Sequence, residues 1–198
     1  MRSNALSGSV LSGIDLGGFA LGLRGVLLAA ALAALSACGG AARPASNSGD
    51  DNSTVVGQLA PDTEFAALRG TGTLRLSSLR GKVVLLDFWA SWCAPCQEEL
   101  PLLDDMAVRL KGKDIQIVGL SIDESQADAE QFLARKSAWS LTLGQDPEQK
   151  IANQFKPPKM PTSYAIDRKG VVRQMNAGFE RADLEKIEAQ LLELAAAN

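Results

Sequence analysis

The chain has 198 residues, 46% of them hydrophobic and 22% charged, which supplies the core of one domain and leaves too little for a second large one. Its 20 basic and 23 acidic residues give a net charge of -3, so no basic field exists to gather a phosphate backbone, and nucleic acid is not expected as a partner. With no histidine and only three cysteines, Ser-His-Asp and Cys-His catalysis, imidazole zinc sites and four-thiolate zinc sites are all excluded, leaving the chemistry of thiols and carboxylates.

Residues 25–37 read GVLLAAALAALSA, an uncharged run preceded by Arg24 and followed at once by Cys38. A bilayer core of about 30 Å needs roughly 20 apolar residues, so this run has the length of a signal-peptide segment rather than a span. Leu35-Ser36-Ala37-Cys38 resembles the bacterial lipobox, in which the signal peptidase cuts before a cysteine that becomes diacylated on sulfur. The expectation is a lipoprotein signal peptide over residues 1–37, lipidation at Cys38 and a location on the outer side of a bacterial membrane. Gly39 stands where an inner-membrane retention aspartate would lie, which leaves an outer-membrane anchor open. Residues 39–54 are Gly, Ser, Asn, Asp and Ala without apolar periodicity and cannot bury enough surface to offset their ordering entropy. Residues 38–54 are therefore expected as a flexible lipidated tether, and 55–198 as the folded domain.

Within that domain, residues 64–76 carry a Gly-Thr-Gly turn between two β-prone runs, which predicts a hairpin. KVVLLDFWA at 82–90 is nearly continuous and apolar, the pattern of a strand covered on both faces, with Val83, Leu85, Asp87 and Trp89 on one side. A helix is expected over 94–110, kinked at Pro101. A second buried strand follows at 115–122, then an amphipathic helix opened by Ser125 and Asp128. A short strand is expected at 141–143, a helix starting at Asp146-Pro147 and stopping at Pro157-Pro158, and paired strands at 162–167 and 171–176. From Ala182 the spacing of Leu184, Ile187, Leu191 and Leu194 predicts a closing helix. Strands alternating with helices define an α/β fold in three layers.

Trp92-Cys93-Ala94-Pro95-Cys96 lies between the buried strand and the helix. Two Cα atoms three residues apart on a helix of radius ~2.3 Å and rise ~1.5 Å are about 5 Å apart, within disulfide range. Cys93 falls at the helix N-terminus, where unpaired N–H groups and the macrodipole favour a thiolate, while Cys96 lies one turn in and is more shielded. Cys93 is therefore the expected nucleophile and Cys96 the resolving thiol. Asp87 falls within a run expected to be buried, where an unpaired charge is costly, so its carboxyl is expected protonated or hydrogen-bonded. Glu99 shares a helix face with Cys96.

The stretch LLDFWASWCAPC at 85–96, with Glu99-Leu100-Pro101, Lys159-Met160-Pro161-Thr162 and Ile166-Asp167-Arg168-Lys169-Gly170, resembles the thioredoxin superfamily and its membrane-tethered TlpA/ResA-like branch. The resemblance implies a thioredoxin-like α/β/α sandwich with an N-terminal hairpin and a central insertion around 121–140. It implies thiol-disulfide exchange with no cofactor beyond a Cys93–Cys96 redox disulfide and no metal. Asp87 and Glu99 would exchange the proton of the resolving cysteine. Pro161 would be cis and face the dithiol, and Trp92, Ala94, Pro95 and Met160 would contact an extended partner. Expected partners are protein disulfides and a membrane thiol donor of the DsbD/CcdA type, with cytochrome c maturation among the roles. Two alternatives remain open at this point. Cys93 and Cys96 could hold Cu(I) as a chaperone, although copper-delivery relatives add a histidine. A thioredoxin-fold peroxidase is the other, although Cys93 follows Ala90-Ser91-Trp92 rather than a Pro-x-x-x-Thr-x-x approach.

Overall fold

The computed structural model describes residues 55–197; the expected signal peptide, Cys38 and the tether lie outside them. Seven strands form one mixed sheet in the order β2-β1-β5-β4-β3-β6-β7. At its centre β3 (Val83–Trp89) runs parallel to β4 (Ile115–Ser121) and antiparallel to β6 (Thr162–Ile166). Every residue of β3 is buried, which is why the strand reads as an unbroken apolar run.

On one face, α1 (Ala94–Arg109) lies between α2 (Gln126–Leu133) and α4 (Asp183–Ala196). Arg109 pairs with Glu188 of α4, and Asp104 binds Lys136 just beyond α2. Leu100, Leu103 and Met106 of α1 are fully buried beneath this layer, each worth roughly 1.5–3 kcal/mol. Helix α1 runs unbroken through Pro101. On the opposite face Phe155 of α3 (Ala152–Phe155) packs against Phe88 and Tyr164, with ring centroids 5.6 and 5.2 Å away. Trp89 points the other way, onto Phe132 of α2. Thus the three-layer α/β/α expectation holds, with the layers unequally filled.

The hairpin is β1 (Glu64–Ala67) with β2 (Thr73–Arg75), followed by a 3₁₀ turn, Leu76–Leu79, that buries Leu76 and Leu79. The short expected strand is β5 (Thr142–Gln145), which joins β4 to the hairpin; with α2 it forms the insertion, slightly longer than expected. One expectation is corrected. The helix expected from Asp146-Pro147 begins only at Ala152 and lasts one turn, because Gln149 adopts φ 53° and breaks the run. Asp146 accepts from the N–H groups of Ile151 and Ala152 at 2.9 and 2.8 Å, so it caps the delayed turn. Lys156, at φ 53°, ends the turn before Pro157-Pro158. Strands β6 and β7 (Val172–Ala177) pair antiparallel across the Arg168-Lys169-Gly170 turn, where Gly170 takes φ 86°. Among the described residues no helix is long and apolar enough to cross a membrane.

Candidate active site

Strand β3 ends at Trp89, and Ala90 to Trp92 turn the chain into α1, with Cys93 as its N-cap in extended conformation. Pro95 occupies the first turn, where its missing N–H leaves no gap in the helix. Cys93 and Cys96 form a disulfide with Cα atoms 5.2 Å apart, as helical spacing requires. The backbone N–H of Cys96 also donates to the Cys93 sulfur at 3.3 Å. The two sulfurs differ in surroundings: Cys96 is fully buried, whereas Cys93 is 6% exposed. Around Cys93 the surface is formed by Ala94, Pro95 and Trp92, the last of which is 66% exposed.

Asp87 and Glu99 are both buried, at 1% and 3% exposure. Neither oxygen of Asp87 nor Oε2 of Glu99 has a protein hydrogen-bond partner. Burial pushes both acids above the usual carboxylate range, Glu99 to about 8, and Asp87 is raised further by the neighbouring Glu99 charge. The Glu99 charge opposes ionisation of Asp87, so the two carboxyls titrate in linked steps rather than independently.

The Met160–Pro161 bond is cis. Thr162 pairs with Phe88, so Pro161 lies at the end of β3 from which the cysteine loop departs. The Pro161 carbonyl accepts the N–H of Gly178 at 2.7 Å, which fixes the β6 end against the chain after β7. The structure therefore gathers Cys93, Cys96, Trp92, Met160 and Pro161 at one end of the sheet, with Asp87 and Glu99 below.

The AhpC/TSA family model matches residues 56–175, more than half of the chain. The chain belongs to the AhpC/TSA family. It is 33% identical over 156 residues to the thiol-disulfide oxidoreductase ResA of Oceanobacillus iheyensis, covering 76% of this chain and 79% of that one. The solved structure of a thiol:disulfide interchange protein DsbE from Chlorobium tepidum superposes with a TM-score of 0.67 at 38% identity, covering 71% of this chain and 98% of that one. The exposed lipoprotein thioredoxin of Streptococcus pneumoniae does so with a TM-score of 0.59 at 31% identity, covering 67% and 99%. This AhpC/TSA member is a thioredoxin-like thiol-disulfide oxidoreductase with a Cys93–Cys96 pair.

Two further residues of this AhpC/TSA fold hold the cysteine loop and were not singled out by sequence. Asp123, buried just after β4, accepts from Ser91 N–H at 3.0 Å, Ser91 Oγ at 2.7 Å and Ser121 Oγ at 2.8 Å. Gln97 donates from Nε2 to the Ser91 carbonyl and accepts from Arg135 at 3.2 Å. A signal for Asp123 existed. It is an acid at the carboxyl end of a buried parallel strand, where α/β sites form. Gln97 carries no such signal, since a glutamine in a helix's first turns is ordinary.

Proposed function

We propose that the dithiol reduces selected protein disulfides outside the cytoplasm, from a lipid anchor at Cys38. The observation that carries this reading is the asymmetry of the pair: Cys93 is the N-cap of α1 and 6% exposed, whereas Cys96 is fully buried on the helix that also carries Glu99. A Cys93 thiolate attacks one sulfur of the partner disulfide; a Cys93–partner bond forms, the partner S–S bond breaks, and the released sulfur is protonated. Cys96 then gives its proton to the acid pair and attacks Cys93, closing the intramolecular disulfide and releasing the second partner thiol. Two electrons pass to the partner. A membrane thiol donor of the DsbD/CcdA type returns them.

Trp92, Ala94 and Pro95 meet the partner on one side of Cys93, and the Met160 backbone before cis-Pro161 offers it a strand edge on the other. The reducing direction is supported by Ala94-Pro95 between the cysteines, which places no histidine beside Cys93, and by the buried Asp87. Anchoring is supported by the lipobox-like Leu35-Ser36-Ala37-Cys38 and by likeness to a relative described as an exposed lipoprotein. The haem-attachment cysteines of apocytochrome c are the substrate class proposed, as a compact, exposed disulfide that an extended edge could hold.

Equilibration against a glutathione or thioredoxin couple tests the direction. Potentials in this fold run from ~-270 to ~-120 mV, a difference of about 7 kcal/mol. A value near the reducing end is expected; one near the oxidising end would make the protein an oxidant and overturn the reading.

A further inference from the structure

Asp87, Ser163 and Asn176 stand directly opposite one another on β3, β6 and β7. Opposed residues of antiparallel strands project to the same face, so they form a polar row across the sheet. That row faces α1 and α4, on the side where apolar side chains are the rule. Ser163 is buried, and its Oγ accepts from Asn176 Nδ2 at 3.4 Å; Gln174 donates to Asn176 Oδ1 at 3.0 Å. The row ends in a cavity of about 280 Å³ between α1, β7 and α4, lined in part by Glu99, Gln174, Asn176 and Gln190, with Asp183 and Lys186 also on its wall.

Two buried acceptors around this cavity lack any protein donor: Oε2 of Glu99 and Oε1 of Gln190. Leaving such groups unpaired destabilises the fold, and an apolar side chain at position 190 would have avoided one of them. At ~30 Å³ per water the space accommodates several molecules beside the polar side chains of Glu99, Gln174, Asn176 and Gln190. Both oxygens are covered by their neighbours, so water in this cavity would reach them through small side-chain motions and would then connect Glu99 to the outside.

We propose that this cavity is the route by which the acid pair exchanges the Cys96 proton with solvent, and that Asn176 and Gln190 are positioning residues that hold its water. The proposal rests on the reading that Asp87 and Glu99 accept that proton. In the resolving step the Cys96 S–H bond breaks and its proton goes to a carboxylate. The Cys96 sulfur bonds to Cys93, and the electron pair of the Cys93–partner bond leaves on the partner sulfur. The carboxylic acid then loses its proton through the cavity, and the leaving thiolate gains one from solvent.

The test is single-turnover release of a disulfide-linked peptide, followed by tryptophan fluorescence in H₂O and in D₂O. Gln190→Leu and Asn176→Val remove the polar wall from a helix and from a strand respectively, so the result does not hang on one variant folding. Both should slow release at least fivefold and enlarge the solvent isotope effect, with the thiolate titration of Cys93 unchanged. Asn176→Ser, which puts a hydroxyl in place of the amide and so keeps a polar group there, should recover most of the rate. Parental rates and isotope effects in Gln190→Leu and Asn176→Val, with a slow Asp87→Asn/Glu99→Gln double variant, would overturn the route and leave the acids in place. Parental kinetics in the double variant as well would overturn both.

Discussion

Glu99 illustrates how burial alone sets a residue's chemistry. Its carboxyl sits on α1 with no protein donor to Oε2, and burial pushes it up to about 8. In the unfolded chain it titrates near 4.5. The folded state therefore binds more protons than the unfolded one between these values, and stability falls as pH rises through that window. Glu99→Gln should flatten this slope and raise stability at pH 8 by on the order of 3 kcal/mol, read by urea unfolding at several pH values. A parental slope in the variant would show that Glu99 is not the group being titrated. The same burial makes Glu99 a poor reading from sequence alone. A Glu98-Glu99 pair in a helix is ordinary, and only the helix face shared with Cys96 and the resemblance point to Glu99. Cys93 was legible for the opposite reason, because spacing and position at a strand-to-helix corner constrain its chemistry. It should titrate well below the free-thiol value of about 8.5, measured by alkylation of Cys96→Ser against pH; an apparent value at or above 8.5 would contradict the helix-terminus argument.

Among the elements, α1 carries the site and Asp104 ties it to the insertion. Burial works against ionisation of Asp104, but Lys136 and the N–H groups of Ser140 and Leu141 outweigh it and hold the carboxyl below its usual range. A group depressed in this way stabilises the fold above its unfolded value near 3.8, and that contribution is lost as pH falls through the folded value. Asp104→Asn keeps the shape and removes the charge, and should cost about 1–3 kcal/mol at pH 7 in thermal or urea unfolding. A neutral result would mean that the apolar contacts of α2 dock the insertion unaided. This link was invisible in the sequence because its partners are more than 30 residues apart. Elements whose pattern is local fared better. Strand β3 and the β6–β7 hairpin follow from an apolar run and a turn. The α3 turn does not, since Gln149 adopts φ 53°, a conformation that the residue preference of glutamine does not announce.

At the scale of the whole molecule, a central strand buried on both faces brings an acid, a dithiol loop and a cis proline to one end of a mixed sheet. The polar row from Asp87 through Ser163 to Asn176 runs across that sheet at right angles, a pattern that pairing creates and that linear sequence hides. The central claim is that Cys93 attacks and Cys96 resolves, and covalent trapping tests it most directly. Reduced Cys96→Ser and Cys93→Ser proteins are each incubated with a disulfide-bonded protein substrate, quenched with acid and separated without reductant. Cys96→Ser should accumulate a mixed disulfide on Cys93 and Cys93→Ser almost none, whereas equal or greater trapping on Cys96 would contradict the account.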